Sequence, residues 1–179
     1  MRETEQEFEI RLDLCKEPLY GYAVALTRDR DRAADLFHDA IVRAMSALDI
    51  PQTESAFRSW MFAILRNIWL DGLRSSRRRR KHEEQTLLED PETPVALEAV
   101  VVNVLAVRQA MRLLSNEHRD VLGLVDIAGF SYRETANILD VPVGTVMSRV
   151  ARARKALCHH LSETDVTPFP VPYRAVTGG

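Results

Sequence analysis

The segment that decides the fold is Phe130–Lys155, FSYRETANILDVPVGTVMSRVARARK. Ser131 and Glu134 have the spacing of a capping box, which predicts a helix start. Pro142 interrupts the helical pattern and suits the first turn of a second helix. Two short helices around a tight turn, the second rich in arginine, predict a helix-turn-helix that enters a DNA major groove.

The second of these helices has one apolar face and one polar face. The apolar face is predicted to be buried and consists of Val143, Val146 and Val150. The polar side chains suit phosphates and base edges, and they are Thr145, Ser148, Arg149 and Arg152. A pair of amphipathic helices with a solvated basic face remains the alternative for this segment taken alone.

Bulk composition excludes several classes of protein. With 46% hydrophobic and 28% charged residues among 179, the chain has the composition of a soluble globular protein, and we expect it to be cytoplasmic. No apolar run is long enough to insert in a membrane. Cys15 and Cys158 lack metal-ligand spacing, so we expect no metal and no cofactor.

Charge is segregated along the chain despite a net charge of −2. Bases dominate residues 51–82, which include the run Arg77–Lys81, whereas residues 83–100 carry six acids and no base. Such blocks indicate different partners for different segments.

Helical periodicity dominates, and we predict an all-α fold of two small domains joined by an acidic flexible linker. We assign residues 1–81 to the N-terminal domain, 82–94 to the linker, 95–161 to the C-terminal helix-turn-helix domain and 162–179 to a Pro-rich, disordered tail.

Three helices are predicted in the N-terminal domain. The first covers about residues 5–27, with Pro18 as a kink or a break. Asp29 caps the second, whose apolar face extends to Leu48, and Ser55 caps the third. In the other domain, Thr93-Pro94 opens a helix, and Ser115 caps another over residues 116–127.

Two motifs, in the order in which they occur along the chain, resemble those of bacterial extracytoplasmic-function (ECF) sigma factors. The segment 57–74, FRSWMFAILRNIWLDGLR, is similar to the family's promoter-melting helix. Residues 114–122, 129–136 and 143–149 resemble its C-terminal domain, and residues 33–39, AADLFHD, resemble its polymerase-binding helix. The resemblance covers nearly all of residues 19–161.

The resemblance implies a subunit that binds core RNA polymerase, directs it to promoter DNA and helps to open the duplex. The implied contacts with the upstream element are Thr145, Ser148, Arg149, Arg152, Arg154 and Lys155, with Arg149 favoured for a base and Arg152 for phosphate. The downstream, unpaired element would contact Arg58, Asn67, Arg74, Arg77, Arg78, Arg79 and Arg80. The loop 49–55 would receive a flipped base, and polymerase would bind Asp35, His38 and Asp39.

The chain departs from the family pattern at two positions. His38 stands where the family usually has Gln, and Met147 replaces a common Lys, which removes one phosphate contact. The two tryptophans also differ in expected role. Trp60 shares an apolar side with Phe57, so we assign it to the core. Trp69 lies off that stripe, and contact with DNA, contact with another protein and the absence of either contact remain alternatives for it.

The resemblance also implies an anti-sigma factor as an inhibitory partner, and an acidic linker that occupies the RNA-binding cleft of the polymerase. A solubilising tether is the alternative for the linker. Two rival functions remain, namely a sigma-like decoy that captures an anti-sigma factor and a conventional helix-turn-helix regulator. We expect no enzymatic activity, because no metal-protease, phosphate-loop or nucleophile motif occurs.

Overall fold

The chain is helical in the computed structural model, which describes residues 5–80 and 99–163, and these residues contain no strand. The predicted all-α class is therefore confirmed. The helices are α1 Glu5–Asp13, α2 Lys16–Thr27, α3 Arg30–Met45, α4 Glu54–Arg80, α5 Ala99–Leu113, α6 Asn116–Leu122, α7 Tyr132–Leu139 and α8 Val143–Glu163. A π-helical turn, Gly123–Ile127, extends α6. None of the described helices is long and apolar enough to cross a bilayer.

The first predicted helix is two helices. The chain breaks at Leu14 and Cys15, between α1 and α2, and Pro18 lies within the first turn of α2. A proline is tolerated in the first turn because the amide it lacks would have no partner inside the helix. Pro18 therefore neither kinks nor breaks the helix.

The predicted cap residue of the N-terminal domain is confirmed at α3 and is wrong at α4. The Asp29 carboxylate accepts a hydrogen bond of 2.7 Å from the Arg32 amide, which confirms it as the cap of α3. The prediction that Ser55 caps α4 was wrong, because the Thr53 hydroxyl accepts the capping hydrogen bond from the Ala56 amide at 3.3 Å. The prediction that the apolar face of α3 extends to Leu48 was also wrong, because α3 ends at Met45 and Leu48 is 87% exposed.

The core of the N-terminal domain is made by α2, α3 and α4. Trp69 belongs to it with only 8% exposure, so the expectation that this side chain lies off the buried stripe was wrong. Trp60 is half-buried against Phe57, as predicted, with ring centroids 5.9 Å apart. Other fully buried side chains are Leu19, Tyr22, Leu26, Met61, Phe62 and Leu65.

The C-terminal domain begins with α5 and ends with the helix-turn-helix of α7 and α8. Ser115 caps α6 as predicted, and Ser131 and Glu134 form the predicted capping box. Val146 and Val150 are buried, but Val143 is exposed at the helix start and does not belong to the buried face. The segments 81–98 and 164–179, and so the Thr93-Pro94 helix start, lie outside the described residues.

The two domains pack directly against each other. Helix α2 contacts both α6 and the π-helical turn, and α4 contacts α7. We call this contact the interdomain junction and define it by Tyr22, Arg58 and Arg66 on one side and Asp120, Gly123 and Phe130 on the other. The sequence did not predict it.

Candidate nucleic-acid interface and polymerase-binding face

The turn of the helix-turn-helix is fixed by local backbone chemistry. Asp140 ends α7 in the left-handed region with φ 54°, a conformation that Asp tolerates better than most residues. The Pro142 carbonyl then accepts from the Thr145 amide at 2.9 Å and from the Val146 amide at 3.3 Å. These bonds start α8 with Val146 and Val150 facing the core, so the intervening polar side chains face outward.

Four predicted upstream contacts lie on the outer side of α8 or at its edge. Ser148 is exposed, and its hydroxyl donates to the Thr145 carbonyl at 3.0 Å, while Thr145 is half-buried. Arg152 and Lys155 are exposed, and the Arg152 Nε donates to the Ser148 carbonyl at 3.2 Å. One face of α8 therefore carries hydroxyls near its N-terminus and cations farther along.

The other two predicted upstream contacts lie near acidic side chains. Arg154 forms an ion pair of 2.5 Å with Asp126, and this hydrogen bond raises the pKa of the Arg154 guanidinium. Arg149 is half-buried, and its charge lowers the pKa of the Asp120 carboxyl. Arg149 therefore lies beside the interdomain junction.

Three predicted downstream contacts share one face of α4. Asn67, Arg74 and Arg78 are exposed and stand seven and eleven residues apart, close to whole numbers of helical turns. Arg74 also forms an exposed ion pair of 3.1 Å with Asp71. The side chains of Arg77, Arg79 and Arg80 lie outside those described.

Arg58, the remaining predicted downstream contact, lies apart from that face. Its guanidinium donates to the Ala128 carbonyl and stands 4.2 Å from the centroid of the Phe130 ring, both in the C-terminal domain. A cation over an aromatic face is an attractive arrangement. The structure therefore places Arg58 in the interdomain junction.

The three predicted polymerase contacts lie together on α3. Asp35, His38 and Asp39 are all exposed, at the i, i+3 and i+4 spacing that puts side chains on one helix face. Val42 and Met45 continue this face and are half exposed. An acidic patch beside exposed apolar side chains suits a protein partner.

The interdomain junction has a buried polar centre. The Tyr22 hydroxyl donates to one Asp120 carboxylate oxygen at 2.5 Å, and the Arg66 Nε donates to the other at 2.8 Å. Burial raises the pKa of the Asp120 carboxyl, while Arg66, Tyr22 and Arg149 act in the opposite direction. Burial beside Asp120 also raises the pKa of the Tyr22 phenol, so Tyr22 stays a donor.

Apolar contacts surround this centre. Phe62 and Phe130 meet edge to face with centroids 4.8 Å apart. A Cβ atom added to Gly123 would lie 2.6 Å from Tyr22 Cδ2, so only glycine permits this approach of α2. These residues could not be predicted from the sequence, because no local pattern links positions up to 98 residues apart.

Acidic, histidine and cysteine side chains within the described ranges form no cluster of three or more that could hold a metal.

Comparison with known proteins identifies the family. Residues 13–79 match the model of sigma-70 region 2, and residues 105–157 match that of sigma-70 region 4. The ECF RNA polymerase sigma factor EcfG of Rhodopseudomonas palustris is 34% identical over 167 residues, which cover 90% of each chain. The chain belongs to the ECF sigma factor family. ECF sigma factor SigL of Mycobacterium tuberculosis is 33% identical over 152 residues, covering 83% of this chain and 85% of SigL.

Solved sigma factor structures agree with this assignment. The sigma factor RpoE of Bartonella quintana, determined with the anti-sigma factor NepR, superposes with a TM-score of 0.74 at 29% identity. That superposition covers 89% of this chain and 99% of the other. CnrH, determined with the cytosolic domain of CnrY, shares the fold with a TM-score of 0.66 and 24% identity. As an RNA polymerase sigma factor, the chain acts in transcription initiation with core polymerase and promoter DNA.

Proposed function

We propose that α8 recognises the upstream promoter element as duplex DNA. The observation that carries this proposal is the outer face of α8, where exposed Ser148, Arg152 and Lys155 follow the N-terminal Thr145. A helix of this width fits the major groove, where an arginine can form two hydrogen bonds with guanine. Arg149 is the base-recognising residue in this account, and Arg152, Arg154 and Lys155 contact phosphates.

The N-terminal domain binds the downstream element after strand separation. Asn67, Arg74 and Arg78 give α4 an exposed polar and cationic face along which a single strand can lie. Arg77, Arg79 and Arg80 follow in the same cationic run of the sequence. Arg58 joins this surface only when it is released from Ala128 and Phe130. The loop 49–55, which precedes α4, receives the flipped base.

Core polymerase binds the exposed face of α3 that contains Asp35, His38 and Asp39. Support for this assignment comes from the position of the three side chains on one face, with Val42 and Met45 as apolar neighbours. The chain itself performs no catalysis in this account. It acts in the cytoplasm, where it supplies specificity to the enzyme that synthesises RNA.

An anti-sigma factor is the proposed inhibitor. This proposal is supported by the similarity to two sigma factors whose structures were determined with such proteins, RpoE with NepR and CnrH with CnrY. A decoy function is disfavoured because it needs no DNA-binding side chains, yet Arg152 and Lys155 on α8 and Arg74 on α4 are exposed. A conventional regulator would leave the exposed face of α3 without a use.

Reconstituted transcription tests the proposal. Core polymerase is incubated with the chain and with genomic DNA fragments, and the 5′ ends of the transcripts are mapped by sequencing. We expect a discrete set of start sites that share two conserved elements upstream. Transcripts unchanged by addition of the chain would refute the sigma factor function, and tight sequence-specific DNA binding without polymerase would favour the conventional regulator.

A further inference from the structure

We propose that an apolar strip on α8 recognises thymine in the upstream promoter element, and that the Met147 side chain contacts the C5-methyl group of the base. The strip consists of Val143, Met147 and Ala151. This inference rests on the proposed function, because it names a feature of the DNA that the outer face of α8 recognises. It adds an apolar contact to the polar contacts proposed for this helix.

The three side chains of the apolar strip lie along one line on the surface of α8. They are spaced four residues apart, which places them one above another on a helix. All three are exposed, Val143 by 39% and Met147 by 54%. The core side of the helix is filled by Val146 and Val150, which are 0% and 1% exposed. The strip is therefore available for a contact outside the domain.

The apolar strip is continuous with the polar side chains proposed to bind DNA. Ala151 follows Ser148 by three residues and precedes Lys155 by four, so it neighbours both on the helix surface. Ser148 and Lys155 are exposed, as is Arg152 beside them. A helix that these polar side chains hold in the major groove also brings the strip against the groove.

Met147 lies at the part of the helix that contacts base edges. It is the fifth residue of α8, and recognition helices contact bases with their N-terminal residues. In the major groove, thymine presents a C5-methyl group, for which an apolar side chain is the suitable partner. The unbranched thioether of methionine adapts well to an uneven apolar surface. Methionine in place of the lysine common in the family therefore exchanges a contact with an anion for a contact with a methyl group.

The expected size of this contact is modest. Removing one methyl-sized apolar group from water increases an affinity about fourfold. A bidentate arginine contact with guanine discriminates more strongly than this. The apolar strip therefore refines the choice of sequence made by the polar contacts and does not replace them.

The first experiment removes the methyl groups from the DNA. Competition against a labelled promoter fragment gives the affinity of core polymerase carrying the chain for two duplexes. One has the mapped upstream element, and the other has deoxyuridine for every thymidine of that element on both strands, which keeps the base pairing. Wild-type protein should bind the thymine duplex about fourfold more tightly, and Met147→Ala should bind both duplexes equally.

Two control variants accompany Met147→Ala. Lys155→Ala removes a proposed phosphate contact, so it should weaken binding to both duplexes and keep their ratio. Leu113→Ala removes a 65% exposed apolar side chain from α5 of the same domain, and both affinities should stay unchanged.

The second experiment tests whether position 147 faces the DNA. Met147→Lys should abolish the preference for thymine and steepen the salt dependence of binding by about one released counterion. Gln109→Lys places the same charge at an exposed position of α5 and should leave the salt dependence unchanged.

Four results would overturn the proposal. They are equal affinity of wild-type protein for the two duplexes, a thymine preference that survives Met147→Ala, an unchanged salt dependence in Met147→Lys, and a mapped upstream element without thymine on either strand. Failure of the proposed function gives a different pattern. In that case wild-type protein binds a duplex with a scrambled upstream element as tightly as the intact one, whereas failure of this inference alone leaves the effect of scrambling in place.

Discussion

Arg66 and Asp120 form an ion pair of 2.8 Å between α4 of one domain and α6 of the other, 54 positions apart in the chain. Tyr22 donates to the second oxygen of the same carboxylate. The pair therefore links the N-terminal domain to the C-terminal helix-turn-helix domain.

Replacement of Arg66 by Met should destabilise the protein at neutral pH. The change leaves the Asp120 carboxylate buried without its cation, and we expect the free energy of unfolding in urea to fall by about 3 kcal/mol. The matched control is Arg74→Met, which breaks the exposed pair with Asp71 and should cost less than about 1 kcal/mol. Equal losses for the two variants would contradict a special role for the buried pair.

The stability of the folded protein should depend on pH through Asp120. Because burial raises the pKa of this carboxyl above its ordinary 3.8, the folded form binds the proton more tightly than the unfolded form. The stabilisation by the proton is full below pH 3.8 and is lost as pH rises through the raised pKa. The free energy of unfolding in urea, measured at a series of pH values, should show this transition, and Asp120→Asn should abolish it.

Ser131→Ala should weaken the helix-turn-helix. The Ser131 hydroxyl accepts from the Glu134 amide at 3.3 Å, and the Glu134 carboxylate accepts from the Ser131 amide at 2.8 Å. Loss of the cap should lower the free energy of unfolding by about 1 kcal/mol. Ser162→Ala, near the end of α8, serves as the control and should have little effect, measured by urea denaturation of both variants.

Asp39→Lys should weaken binding to core polymerase. The change reverses a charge in the middle of the proposed binding face, so the affinity in a competition assay with unmodified chain should fall. Asp31→Lys is the control, since Asp31 is exposed on the same helix but lies near its start. A similar loss for both variants would indicate a general electrostatic effect and would remove the support for this face.

The helix-turn-helix could be predicted from the sequence in detail because its determinants are local. The capping box of Ser131 and Glu134, the break before Pro142 and the burial of Val146 and Val150 all follow from spacings of a few residues. The error at the start of α4 arose because the capping rule fits two residues there. Thr53 and Ser55 are both capable caps, and only the backbone geometry selects Thr53.

Tertiary contacts could not be predicted in this way. Trp69 is buried because the packing around α4 covers more than one stripe of this helix. The interdomain junction depends on the meeting of Tyr22 with Asp120, which no helical periodicity encodes. Arg58 was expected to contact DNA because of its position in a motif, and its contacts with Ala128 and Phe130 became visible only in the folded chain.

The most direct test of the central claim compares two templates in reconstituted transcription, one with the mapped promoter and one with its upstream element scrambled. Wild-type protein should prefer the intact template, and Arg149→Ala should lose most of this preference by weakening transcription from that template. Lys155→Ala, which removes a proposed phosphate contact, should lower both signals and keep their ratio. An Arg149→Ala protein that retains the wild-type ratio would contradict the account of upstream recognition by α8.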